Sequence, residues 1–367
     1  MFHKPGLSGS SGIQFRRSPM FASDPTEFRS ITFGRCLAFL ILAVGAELRA
    51  AALITSNAAS PPRLTQQGVP AVEALREAEV FKPRPPRTIF EVQLALARRA
   101  ISPGSLDGVM GPQTRAAIRT LQLVERLEPT GIADAATKAR LVLTAAPLTT
   151  YQITSNDLAR LTPIGATWLA KSQQTKLDYS TILELVAERG WAHPSFIRNL
   201  NPKIDWSQVA AGTIVTLPNV QFPTPTAFAV SVRIGLADRM LDAFDANTNL
   251  LAHFPCSIAR LVEKRPVGQL TVDVIATDPS YRFDPDIFPD SAEGRELGRP
   301  LIIPPGPNNP VGNAWIGLDK PGYGIHGTPE PENIGRTESR GCFRLANWNA
   351  LYLARLVQNR TTVIVEP

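Results

Sequence analysis

Cysteine and histidine are scarce in this chain, at three and four residues among 367. So few cysteines exclude a disulfide scaffold, which stabilises small secreted domains through several pairs. No set of them has the spacing of a zinc site, and His253 and His326 lack the companions a metal centre needs, so no metal and no cofactor are expected. There is no Lys/Arg run interleaved with aromatics, which argues against a nucleic-acid partner despite a net charge of +6. Long apolar runs are missing as well. The run CLAFLILAVGA at 36–46 is too short to span a bilayer comfortably, since spanning takes about 20 apolar residues.

What is present points to a multidomain globular chain. Hydrophobic residues make up 44%, enough for a core, and 367 residues fit two or three domains at roughly 100 to 200 each. The 33 prolines favour loops and linkers over long helical arrays. The positive charge suits work beside a polyanion or an acidic polymer.

Residues 1–52 read as a signal or targeting region. Arg29 and Arg35 precede the apolar run, and small residues at 50–52 offer an A-x-A-like cleavage site. A cleaved signal is the first reading and an uncleaved anchor the alternative; either places the protein in the periplasm or cell envelope. Met20 is a second candidate start, and Arg16-Arg17 lies too far from the run for a twin-arginine signal. With Cys36 in the signal, Cys256 and Cys342 remain. Cys256, in the strand-like FPCSIAR, is expected to be a small buried residue; a Cys256 to Cys342 bridge is the alternative. Residues 53–87, rich in Pro, Gln, Ser and Arg and ending in KPRPPR, read as a basic tether.

A helical module is expected over 88–145. Val92, Leu94, Leu96 and Ala97 begin an amphipathic helix, SPGSLDGVMGP breaks it, and Ala117, Ile118 and Leu121 mark a second helix before a closing one. The pattern of Asp107, Gly108, Gly111, Pro112, Thr114, Gln122, Gly131, Asp134 and Thr137 resembles the three-helix peptidoglycan-binding domain. Most of these residue types form turns and caps, so they are read as building the fold. Residues 150–219 form an α+β middle region whose helix-helix-strand pattern resembles a lysin-motif (LysM) domain. It lacks that family's Gly-Asp turn and carries an insertion through Asp178. Trp191 and Trp206 have the chemistry to stack on sugars, yet tryptophans of small domains usually fill the core. His193 is read as structural. A Pro/Thr linker at 220–227 leads to a mainly-β domain over 228–367, with a hairpin turning at 247–249, a long Pro/Asn-rich loop at 278–313 and one helix near the nucleophile. His253, on an alternating strand, is read as half-exposed.

The chemistry concentrates in GIHGTPEPENIGRTESRGCFRL at 324–345. A thiol attacks as its thiolate and needs a base or cation beside it. His326 can take the proton of Cys342, Gly341 allows close backbone approach, and Arg340 and Arg344 add positive field. The two are too far apart for one helical face but suit a strand end, a loop and the next element. The PVG turn at 266–268, PPGPNNPVG, GIHGT, IGRTES and SRGCFRL occur in an order and spacing that resemble the L,D-transpeptidase (YkuD-like) catalytic domain. The resemblance implies Cys342 as nucleophile, His326 as proton acceptor and donor, and Gly327 as the backbone carbonyl that orients the imidazole. It implies oxyanion or substrate contacts at Gly341, Ser339, Arg340, Arg344 and Tyr323. Arg340 stands where the family most often has histidine. The implied reaction joins a peptidoglycan tetrapeptide stem to Cys342 as a thioester, releases D-alanine, and passes the acyl group to an amine of a second stem or an envelope protein. A hydrolase of the same fold (carboxypeptidase or amidase) and a non-catalytic wall-binding protein are the alternatives.

Overall fold

A computed structural model describes residues 81–287, 291–336 and 341–367. The candidate signal, most of the tether, Ser339 and Arg340 lie outside the described residues. Residues 81–367 form one compact unit, and among the described residues no helix is long and apolar enough to cross a membrane.

The helical module comprises α1 (Ile89–Ala97), α2 (Pro112–Val124) and α3 (Ala135–Arg140). Thr88 caps α1 by accepting from the Glu91 N–H. The basic end of the expected tether is built into the module: Arg84 exchanges backbone hydrogen bonds with Leu143 and forms an ion pair of 2.7 Å with Glu91. Helix α1 is not amphipathic in the fold. Every residue from 91 to 97 is buried, because other parts of the unit cover the face that a lone module would leave wet. The patterned polar residues serve as scaffold. Asp107 Oδ1 accepts from Gln93 Nε2 and the Val109 N–H, Gln122 Nε2 donates to Thr137 Oγ1 and the Ile132 carbonyl, and Asp134 caps α3 through the Thr137 N–H.

The middle region runs β1 (Leu148–Gln152), α4 (Ser155–Ala159), α5 (Trp168–Ser172), α6 (Ile182–Arg189), α7 (Pro194–Leu200) and β2 (Ile214–Pro218), with β1 antiparallel to β2. The 220–227 segment holds no helix or strand, as a linker should, but Phe222 pins it. Its ring lies 4.1 Å from Trp191 and stacks 4.2 Å from Tyr352.

The C-terminal domain is built on an eight-stranded sheet whose first four strands in sequence are β3 (Ser231–Gly235), β4 (Met240–Phe244), β5 (Leu250–Pro255) and β6 (Gly268–Thr277). Here β7 (Tyr281–Phe283), α8 (Ala292–Leu297) and β8 (Leu301–Ile303) fill the long loop, and β9 (Ala314–Leu318), β10 (Gly324–His326), β11 (Phe343–Arg344), α9 (Asn347–Leu356) and β12 (Thr362–Glu366) follow. Their spatial order is β11-β10-β9-β6-β12-β3-β4-β5. Ser257, just past β5, exchanges backbone hydrogen bonds with Arg344 of β11 at 2.9 and 3.0 Å, so the sheet curls until its two edges meet. The core inside holds Ile234, Leu241, Phe254, Ile316, Val363 and, from α9, Ala350, Leu353 and Leu356. The expected hairpin is β4–β5, its turn held by Asp245 Oδ1 accepting from the Asn247 and Asn249 N–H groups. The single expected helix is α9; α8 is a second, shorter one.

The long loop carries its own small core. Leu177 of the middle region, Phe283, Leu301 and Ile303 bury together, with Trp168 stacked on Phe283 at 4.4 Å. Glu293 of α8 caps α5, its carboxylate accepting from the Trp168 and Leu169 N–H groups at 2.8 Å. The Leu177 N–H donates to the Pro305 carbonyl, and the Asn308 N–H to the Leu177 carbonyl. Gly306 makes this approach feasible: its φ is +139°, and a Cβ there would sit 2.1 Å from the Leu177 carbonyl oxygen.

Candidate active site

Strand register brings the sequence-predicted pair together. In the parallel pair β10–β11, Ile325 aligns with Phe343 and His326 with Arg344, so Cys342 falls opposite Gly324. Side chains alternate along a strand, which puts Cys342, Arg344 and His326 on one face. Gly324 leaves the space beside the sulfur to the Trp315 indole: a Cβ there would meet it at 2.6 Å. Trp315 is also the register partner of His326 across β9–β10, and the two rings stack at 5.7 Å with 23° between planes.

His326 is buried and its Nδ1 lies 2.6 Å from the Gly327 carbonyl oxygen. A carbonyl only accepts, so Nδ1 carries the proton and Nε2 is left as the basic nitrogen. The Leu345 N–H donates to the His326 carbonyl at 2.8 Å and holds the backbone in place. Burial lowers the imidazole pKa to about 4, against the raising effect of the Gly327 bond and with a further lowering from Arg344.

Cys342 is half-buried, and its thiol donates to the Gly322 carbonyl at 3.4 Å. Burial raises the thiol pKa to about 11, although the Gly324 N–H and the Arg344 charge both act to lower it. At neutral pH both groups rest uncharged. For the Cys342 thiol, desolvation outweighs the Arg344 charge, so the proton leaves as the sulfur attacks. Arg344 is half-buried and under the influence of Glu330 as well as Cys342. Gly341 forms the bend before β11, with the Tyr323 ring 3.6 Å from where its Cβ would be. Lys320 lies over the same ring, its Nζ 4.7 Å from the Tyr323 centroid.

Other singled-out residues lie apart from this face. Cys256 is fully buried, its thiol pKa raised by burial, and no disulfide joins it to Cys342, so the bridge is not formed. His253 is buried rather than half-exposed. Its ring contacts Asp242 Oδ1 at 2.6 Å and Thr120 of α2, because the helical module covers the outer edge of β5. Trp191 packs on Phe222 and Trp206 on the same core. His193 caps α7 by accepting from the Ser195 N–H, the structural role expected of it. Trp315 and Asn347 were not singled out by sequence. The only signal for Trp315 is its alternation on β9, which acquires meaning once the register with His326 is known.

Two regions of the chain are similar to known families. Residues 229–365 match the family model "L,D-transpeptidase catalytic domain" (YkuD), and 88–141 match "Putative peptidoglycan binding domain". Neither match extends over 142–228, so the lysin-motif likeness rests on sequence pattern alone. Among similar proteins, "Putative L,D-transpeptidase YkuD" of Bacillus licheniformis is 28% identical over 167 residues, 46% of this chain and 82% of the relative. "Probable L,D-transpeptidase YbiS" of Escherichia coli K12 is 30% identical over 166 residues, 44% of this chain and 53% of the relative. A solved L,D-transpeptidase 3 from Mycobacterium tuberculosis aligns at 15% identity with a TM-score of 0.31, over 44% of this chain and 77% of that one. The C-terminal domain is a YkuD-type L,D-transpeptidase catalytic domain. The chain joins this catalytic region to a region that matches a peptidoglycan-binding domain.

Proposed function

We propose that Cys342 and His326 carry out acyl transfer on peptidoglycan tetrapeptide stems in the cell envelope. The observation that carries this reading is the His326 imidazole, fixed by Gly327 so that Nε2 is its base, on the same sheet face as the Cys342 thiol. In the first half-reaction Sγ attacks the carbonyl carbon of the third stem residue while His326 Nε2 takes the thiol proton. The tetrahedral oxyanion is received by the backbone N–H groups of Gly341 and Cys342. On collapse, the C–N bond to the terminal D-alanine breaks and His326 returns its proton to that amine. The stem is left as a thioester. In the second half-reaction an amine attacks the thioester carbonyl, His326 removes a proton from it, and the thiolate leaves and is reprotonated. Nothing need be activated by ATP, because the thioester retains the reactivity of the old amide.

Arg344 is assigned to a stem carboxylate, and Tyr323 to the wall of the groove beside Gly341. Arg340 and Ser339 are assigned to substrate contact on sequence grounds. Transfer to an amine is preferred to hydrolysis because the relatives of this catalytic domain are named L,D-transpeptidases. An N-terminal export signal, and a role in wall remodelling and cell shape, belong to this proposal. Incubation of the protein with disaccharide-tetrapeptide followed by mass spectrometry tests it. A cross-linked dimer lacking one alanine supports the transferase; tripeptide alone supports a hydrolase; unchanged substrate with folded protein refutes both.

A further inference from the structure

Asn347, the first residue of α9, is fully buried and uses both ends of its side-chain amide. Its Oδ1 accepts from the Asn313 N–H at 3.2 Å. Its Nδ2 donates to the Pro307 carbonyl at 3.2 Å and to Glu188 Oε2 at 3.3 Å. Two acceptors on one side fix which way the amide faces. The opposite side lies directly on two glycines: a Cβ on Gly312 would come within 1.9 Å of Oδ1, and one on Gly327 within 2.2 Å. Gly327 is the residue whose carbonyl holds His326 Nδ1. Glu188, on α6, lies outside the matched catalytic domain at 229–365. A line of contacts therefore runs from the middle region through one amide to the residue that orients the imidazole.

We propose that Glu188, acting through Asn347, is a positioning residue for His326, so that the middle region completes the framework of the active site. This rests on the assignment of His326 and Cys342 above. The Glu188 carboxyl borders a cleft of about 290 Å³ between α6 and α9. The titratable groups that share this cleft are Arg189 on its own helix and Arg160 and Tyr179 before it, whereas α9 contributes only the uncharged Trp348 and Leu351. Glu184, one turn earlier on α6, adds a like charge. Burial and Glu184 push the Glu188 carboxyl up to about 8, against the lowering effect of the Asn347 bond. Below that pH a neutral carboxyl offers Asn347 an oxygen without placing a charge in the seam. Above it the carboxylate is the stronger acceptor and holds Asn347 more firmly, which is why that bond acts to lower the carboxyl pKa.

The test uses the full chain with disaccharide-tetrapeptide as substrate, comparing wild type, Glu188→Ala and Glu188→Gln. Glu188→Ala is expected to lower kcat about tenfold with KM within twofold, because a misplaced base slows chemistry without changing affinity. Glu188→Gln keeps an acceptor oxygen and should restore kcat to within twofold. Wild-type kcat should rise as pH passes about 8 and the carboxylate grips Asn347, and the Gln variant, which does not titrate, should lack that step. Wild-type kcat and KM in the Ala variant would overturn the inference, as would a loss confined to KM. If Glu188→Ala does not fold, the pH step decides: its persistence in Glu188→Gln refutes the role of the carboxyl. A folded but inactive wild type would remove the site assignment and this inference together, whereas active wild type with an unaffected Ala variant removes the inference alone.

Discussion

Burial governs the resting protonation of Cys342 and His326, and the two shifts run in opposite directions. The thiol rises to about 11 and the imidazole falls to about 4, so both are neutral across the physiological range. A base works only when unprotonated, and His326 is unprotonated above its pKa. The acid limb of kcat/KM should therefore lie near pH 4, where loss of activity on acidification begins to follow His326 protonation, rather than near the 6.5 of a free imidazole. A pH-rate profile from 3 to 8 checks this, and a limb at 6.5 would show that His326 is solvated. The identity of the pair was legible in the sequence because its glycines, histidine and cysteine form a recognisable string. The proton states were not legible. They depend on how deeply the curled sheet buries each group, and on Trp315, which is eleven residues from His326 in sequence and stacked on it in space.

Among the elements, the loop at 304–313 is sewn to Leu177 and Asp178 of the middle region, and its Gly306 allows no side chain. Gly306→Ala should destabilise the protein by about 2 to 4 kcal/mol, since its Cβ would strike the Leu177 backbone and a positive φ adds strain. Urea unfolding measures this, and a change below about 0.5 kcal/mol would mean that the loop accommodates freely. Strands and helices were legible where alternation or capping is local, as in the β4–β5 hairpin and α9. The insertion through Asp178 had no reading in sequence. Its apolar residues Trp168, Leu169 and Leu177 are spaced for a core made with strands more than a hundred residues later, and no local period reveals a partner so distant.

In the whole molecule, modules that read as beads on linkers form one unit. Phe222 lies between Trp191 and Tyr352, Ser102 of the helical module accepts from Asn349 Nδ2 of α9, and His253 sits under Thr120. Composition does not reveal the packing of these regions, because proline and threonine mark a linker segment whether it swings free or is pinned. A fragment of 228–367 should consequently be less stable than the 81–367 unit. Cutting there exposes Tyr352, Phe254 and the buried amide of Asn349, and by roughly 25 cal/mol per Å² of uncovered apolar surface the loss amounts to several kcal/mol. Differential scanning calorimetry of the two would show a lower Tm for the fragment; equal Tm values would mean that the modules merely touch.

The central claim is that Cys342 carries the stem as a thioester. Rapid acid quench of the full chain with disaccharide-tetrapeptide, followed by digestion and mass spectrometry of the peptide containing Cys342, tests it most directly. The account predicts a mass gain on Cys342 equal to the substrate less D-alanine, and no gain in a folded Cys342→Ala variant. Turnover that persists in Cys342→Ala, or an adduct on another residue, would contradict it.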